Sequence, residues 1–190
     1  MTDQLYIFPT IKTLEGATFL QSTAHVEILC NTILALISPD LYSIGMDEIK
    51  KIHGGEALAS WHDNVKLWLS AFSGIQVISN CVTPPHRDPK AAPAVFDLLV
   101  SAGTHKKAHL TLHDIKTELM YKPGTVVAIC GKVLLHEVKS WEGGERICIA
   151  HFIRDAVHSR LGLPRPDWVT RKRYVDMMHS DFRVRHKLVD

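Results

Sequence analysis

The sequence predicts an α+β fold in which helices come first, a β-barrel or β-sandwich follows, and helices close the chain. Three observations carry this. Apolar residues recur at helical spacing before residue 73. Short runs rich in Val, Ile and Leu, separated by Pro and Gly turns, fill 74–155, and helical character returns from residue 156. At 190 residues, one domain over 1–190 is expected: 1–73 as helical support, 74–155 as the β-core and 156–190 as a basic helical end.

Over 22–37, apolar residues fall at 26, 29, 30, 33 and 37, the stripe of an amphipathic helix. Over 56–72 they fall at 58, 61, 65, 68, 69 and 72, just after Gly54-Gly55. This predicts a second helix with Trp61 and Trp68 on its core face. Strands are then predicted over 75–82, 95–101, 108–113, 125–130, 133–138 and 146–153. Their separators are turn-formers, among them Pro84-Pro85, Gly103, Pro123-Gly124, Gly131 and Gly143-Gly144. Short helices are expected over 156–161 and from 167 to about 178.

Composition excludes several classes. With 46% hydrophobic and 22% charged residues the chain is not disordered in bulk. The longest apolar stretch, 28–37, is broken by Asn31 and Thr32 and falls short of the roughly 20 residues a bilayer requires. Met1-Thr2-Asp3-Gln4 does not begin a secretory signal, and Cys30, Cys81, Cys130 and Cys148 form no CxxC pair. Buried free thiols in an intracellular protein are therefore expected. The net charge of +2 is unevenly spread: residues 1–150 carry 13 basic against 15 acidic side chains, residues 151–190 nine against five. Arg171-Lys172-Arg173 and the trio Arg183, Arg185 and Lys187 suit either a polyanion or a solvated helix face.

The chain has 12 histidines, and three of them open an H-x-[DE] pair. His25 and Glu27 lie in a predicted helix, where i and i+2 point apart. His179 and Asp181 have too little chain after them to supply a third ligand. His86 and Asp88 follow the Pro84-Pro85 bend in an extended segment, where i and i+2 share a face. His136, on the strand over 133–138, can complete two imidazoles and one carboxylate, the facial set of non-haem Fe(II) oxygenases. The Gly143-Gly144 turn is expected to return the next strand antiparallel, so that His136 and Arg146 lie on paired neighbours. A buried Arg146 needs an anion, either an acidic co-substrate or Glu145 or Glu137.

H-x-D, a distal His about 50 residues on, and an Arg ten further resemble the 2-oxoglutarate/Fe(II)-dependent dioxygenases. The likeness extends through Pro85-His86-Arg87-Asp88, Phe96-Asp97-Leu98-Leu99-Val100-Ser101, Tyr121-x-Pro123-Gly124-Thr125-Val126-Val127, Cys130-Gly131-x-x-Leu134-x-His136, and Trp141-x-x-Gly144-Glu145-Arg146-Ile147-Cys148-x-Ala150-His151-Phe152. This string resembles the fungal branch of the TET/JBP family, whose members oxidise methylated DNA bases. Glu137, His113 and His105-Lys106-Lys107 depart from the family pattern.

The resemblance implies a double-stranded β-helix of the jelly-roll type, with Fe(II) held by His86, Asp88 and His136. It further implies 2-oxoglutarate held through Arg146, and dioxygen as the oxidant. The reaction implied is oxidation of a methyl group of 5-methylcytosine or 6-methyladenine in DNA, with release of succinate and CO2, and a nuclear location. Basic surface at 171–173 or at His105-Lys106-Lys107 is expected to hold phosphates. A hydroxylase of a small molecule or protein side chain is the alternative, and a non-catalytic metal-binding barrel a further one. Three residues remain open. His151 has the opposite strand parity to Arg146 and is expected to be a satisfied interface histidine. Asn80 and Asp97 are candidate substrate contacts, Asp97 alternatively a structural hydrogen-bonding acid.

Overall fold

The computed structural model describes residues 4–168 together with 172, 175 and 176. Three helices lead: α1 (Leu14–Ser22), α2 (Ala24–Ile37) and α3 (Pro39–His53). Eight strands follow: β1 (Gly74–Ser79), β2 (Thr83–His86), β3 (Asp97–Gly103), β4 (His109–Leu112), β5 (Thr117–Met120), β6 (Val126–Ile129), β7 (His136–Val138) and β8 (Arg146–Phe152). A short helix, α4 (Asp155–Arg160), comes after them. The strands form two antiparallel four-stranded sheets, in the orders β1-β8-β3-β6 and β2-β7-β4-β5. This is the α+β, double-stranded β-helix architecture with helices flanking the core.

Strand alternation divides the interior into two cores. Ala108, Leu110, Leu112, Tyr121, Ile129, Val138 and Cys148 pack together inside the barrel. Leu98 and Ile153 instead join Cys30, Leu34, Leu41 and Phe72, which seats the helices against the first sheet. On β8 the buried Arg146 and Cys148 share one parity and His151 has the other.

Two elements differ from the sequence reading. The helix expected over 56–72 is a loop with a 3-10 turn at Asp63–Leu67. Ala57 has φ 58°, and the Ala57 carbonyl and Ala59 amide pair with the backbone of Leu5, so the segment bonds across the chain rather than along it. Trp61 is consequently exposed, while the Trp68 indole N–H donates to the Phe72 carbonyl.

The hairpin expected between the strands of His136 and Arg146 is also absent. β7 lies between β2 and β4, whereas β8 lies between β1 and β3 in the other sheet. The intervening Gly-Gly turn pairs with residues after β3, with the Thr104 and His105 amides donating to the Glu145 carbonyl. Gly144, at φ 70°, has its Cα so close to the Thr104 carbonyl that a Cβ there would lie 2.5 Å from the oxygen. The helix expected over 167–178 and the basic clusters at 171–173 and 183–187 lie outside the described residues, single positions apart.

Candidate metal centre

β2 is a sheet edge, the location that tolerates Pro84 and Pro85, which have no backbone N–H to donate. It pairs with β7 so that His86 stands directly opposite His136. Each imidazole Nδ1 bonds a carbonyl two residues back, Pro84 for His86 and Leu134 for His136, both at 2.9 Å. Those bonds put the proton on Nδ1 and leave each Nε2 lone pair free. His86 Nε2 lies 3.8 Å from Asp88 Oδ1, and His136 Nε2 lies 3.8 Å from Asp88 Oδ2. The three ligand atoms fall within 4.8 Å of one another, a spacing that can hold a metal ion. His136 is buried while His86 and Asp88 are half-exposed, so the group opens to one side. Burial holds the His136 imidazole below its ordinary pKa, with His86 adding to this against the Leu134 carbonyl and the Asp88 charge. The donor set of two neutral imidazole nitrogens and one carboxylate fits Fe(II).

Asp88 is tied by backbone to the segment that precedes β7, its amide donating to the Gly131 carbonyl at 2.9 Å. A cavity of about 480 Å³ runs from this group into the barrel, lined by His86, Asp88, His136, Tyr121, Cys148 and Arg146 among others. Arg146 is 1% exposed. One guanidinium nitrogen donates to the Cys81 carbonyl at 2.9 Å, and Nε has no partner. Glu137 pairs with His113 and Lys139 instead, and among the described residues no carboxylate reaches Arg146. The Tyr121 and Trp141 rings flank the guanidinium with centroids at 5.9 and 5.7 Å. Burial raises the pKa of both the Tyr121 phenol and the Cys148 thiol, which contact each other at 3.4 Å, so both stay neutral beside the cation. A buried cation without an acid partner is costly until an anion arrives, and a planar fork suits a carboxylate.

Asp97 lines the same cavity and is 2% exposed. Burial, then the Asp88 charge, pushes its carboxyl up to about 8, a rise that the Gly131 backbone N–H offsets only in part. Asn80 is placed differently. It follows β1 at φ 50°, and its side chain accepts the Arg146 amide at 2.9 Å, so it anchors the Arg146 backbone and does not line the cavity. His151 meets the helical layer, its Nε2 3.0 Å from Glu27 Oε1 on α2, as an interface histidine does. Sequence reasoning missed two contributors, Gly131 and Tyr121. Gly131 and Tyr121 both lie in the motif string, but their roles depend on close approach between distant strands, which spacing does not reveal.

Two facing sheets and a His-x-Asp…His group at the mouth of a cavity that ends in a buried arginine define the class, the 2-oxoglutarate/Fe(II) dioxygenase fold. Residues 11–155 match the Tet_JBP family model, described as the oxygenase domain of the 2OGFeDO superfamily, and the chain belongs to that family. Among solved structures it is similar to NgTET1 in complex with 5mC DNA. The two share 15% identity and a TM-score of 0.60 over 93% of this chain and 63% of that one, a likeness of fold. The chain thus spans less than two thirds of that protein. No curated protein matches it by sequence.

Proposed function

We propose that this protein is a 2-oxoglutarate- and Fe(II)-dependent dioxygenase that oxidises the methyl group of a methylated DNA base, 5-methylcytosine or 6-methyladenine. The observation that carries the reading is one cavity joining a metal-competent His86/Asp88/His136 group to an unpaired buried Arg146, in a chain of the Tet_JBP family. His86 and His136 offer Nε2, and Asp88 its carboxylate, to the metal. The Arg146 fork receives the far carboxylate of 2-oxoglutarate, while Tyr121 and Cys148 add no competing negative charge. Iron(II), when bound, couples oxidative decarboxylation of 2-oxoglutarate by dioxygen to oxidation of a C–H bond. Ile78, Leu99, Leu110 and Val138 wall the cavity with apolar surface that excludes water.

The mouth suits a flat, anionic substrate. Phe152 forms part of the lining, the Arg154 guanidinium lies 5.0 Å from its ring centroid, and the exposed Lys90 stands nearby. A base in a duplex reaches such a site only by flipping out, at about a few kcal/mol, and cations that hold phosphates offset that cost. The motif string from Pro85 to Phe152 supports membership of the fungal branch.

The test incubates the protein with Fe(II), 2-oxoglutarate and methylated or unmethylated oligonucleotides, and follows succinate and oxidised base by mass spectrometry. Oxidised base from the methylated strand, accompanied by succinate, is expected. Succinate without base oxidation sends the substrate to a small molecule or protein side chain. No succinate with any substrate, from protein that binds both iron and 2-oxoglutarate, overturns the enzymatic reading.

A further inference from the structure

The x of the H-x-D pair has its own work. Arg87 points away from the cavity and spans to the segment that carries the third ligand. Its Nε donates to the Val133 carbonyl at 2.9 Å, and a terminal nitrogen donates to Asp114 Oδ1 at 2.7 Å. Asp114, in the turn between β4 and β5, uses its other oxygen to accept the Leu135 amide at 2.5 Å. The neighbouring His113 amide donates to the Leu135 carbonyl at 2.9 Å. One carboxylate therefore grips, through opposite oxygens, the residue between His86 and Asp88 and the residue just before His136.

Two of the departures from the family pattern, His113 and Glu137, fall in the same place. His113 Nε2 lies 2.7 Å from Glu137 Oε1, so the β4–β5 turn holds the residues on both sides of His136.

We propose that Arg87 and Asp114 are positioning residues of the metal centre, a clamp that fixes the separation between His86/Asp88 and His136 before metal arrives. The inference rests on the metal-site reading above. A simple surface ion pair would hold one side chain to another. This pair instead links two stretches of backbone that carry ligands on different strands, and each partner makes a second bond to the His136 segment. β7 is three residues long, it pairs with β4 only through Thr111–Glu137 and Leu112–His136, and its pairing with β2 is irregular between Thr83 and His86, so few ladder contacts set the separation of the two histidines. Outer contacts of this kind set how well the ligand atoms are placed for the ion.

The test is titration of the metal-free protein with Co(II), reading affinity by calorimetry and ligand geometry by the visible d–d spectrum. Wild type, Arg87→Ala, Arg87→Lys, Asp114→Asn and Asp114→Ala are compared, with His86→Ala as the ligand control. Arg87→Ala and Asp114→Ala are expected to weaken Co(II) by about 10–100-fold and to alter the d–d bands. Their double variant should lose less than the two single losses combined, because the Arg87–Asp114 contact is shared by both. Arg87→Lys should not rescue, since an ammonium cannot span the Val133 carbonyl and Asp114 as the fork does. Asp114→Asn is nearly isosteric, keeps an acceptor for the Leu135 amide and should show an intermediate loss, which keeps the test valid if an alanine variant unfolds. Unchanged affinity and spectrum in folded Arg87→Ala or Asp114→Asn overturn the clamp. Wild type that binds no better than His86→Ala overturns the metal-site reading itself, a separate outcome.

Discussion

Replacing Gly131 by alanine isolates the metal group from the fold. A Cβ at that position would lie 2.2 Å from Asp88 Oδ2 and 2.5 Å from Asp97 Oδ2. Ordinary contact begins at 3.4 Å, so the Asp88 oxygen must retreat by about 1.2 Å. Asp97 is buried and has little room to give way. Metal–ligand distances tolerate only about ±0.2 Å, so a shift of this size removes Asp88 as a well-placed ligand. Even outer-sphere changes cost about 10–100-fold in metal affinity, and displacing a ligand should cost at least the upper figure. The backbone supplies no competing effect. Gly131 is not among the residues of positive φ, so alanine meets no left-handed strain, and its lower chain entropy is worth about 0.4–1 kcal/mol in stability. Calorimetric titration with Co(II) or Mn(II), run beside a thermal melt, should show affinity falling at least about 100-fold in a protein that still folds, its melting temperature lowered by crowding against the buried Asp97. Wild-type affinity in a folded Gly131→Ala protein would refute the placement of Asp88 in the metal group.

Three further outcomes follow from the same reasoning. Arg146→Met should abolish the thermal stabilisation that 2-oxoglutarate gives the wild type, while the ligand-free protein melts no lower, because an unpaired buried cation has been removed. Glu27→Ala should lower the urea midpoint by an amount equivalent to about 3–5 kcal/mol, since it strips the partner from a buried ion pair joining α2 to β8. The third concerns pH. Burial alone would lower the His151 pKa, but its hydrogen bonds to Cys30 and Glu27 overcome this and raise it to about 10. The unfolded value is near 6.5, so this contribution is complete below that pH and is lost as pH rises towards 10, at up to about 1.4 kcal/mol per unit. Urea midpoints between pH 6 and 10.5 should decline in the wild type, and that slope should flatten in Glu27→Ala.

The fold class, most strands and the His86–Asp88 pair were legible because each depends on short-range pattern. Alternation marks strands, and His86 and Asp88 share a face through the two-residue repeat of extended chain. α3 escaped notice for a local reason. Its buried face carries Gly45, whose Cα packs against Ala71, and Glu48, which pairs with His158 on α4, so the apolar stripe is interrupted where the helix is most buried. The loop over 56–72 failed in the opposite sense, since helical spacing was present but backbone pairing with Leu5 overrode it. β5 is a four-residue edge strand after a turn in which Lys116 has φ 50°, too short to stand out. Which sheet receives β7 and which β8 was illegible, because a Gly-Gly turn looks the same whether it closes a hairpin or pairs with a distant loop. Asn80 illustrates the same limit: it is a candidate substrate contact by sequence, whereas a left-handed backbone turns its side chain onto the Arg146 amide.

Joint binding of Fe(II) and 2-oxoglutarate is tested most directly by anaerobic absorption spectroscopy of the protein with both, before any oxygen or nucleic acid is added. A 2-oxoglutarate chelated to protein-bound Fe(II) gives a visible charge-transfer band. Wild-type protein should show that band, His86→Ala should lose it, and Arg146→Met should need more 2-oxoglutarate to form it. No band in folded wild-type protein, or a band unchanged by His86→Ala, would contradict the assignment of the metal ligands.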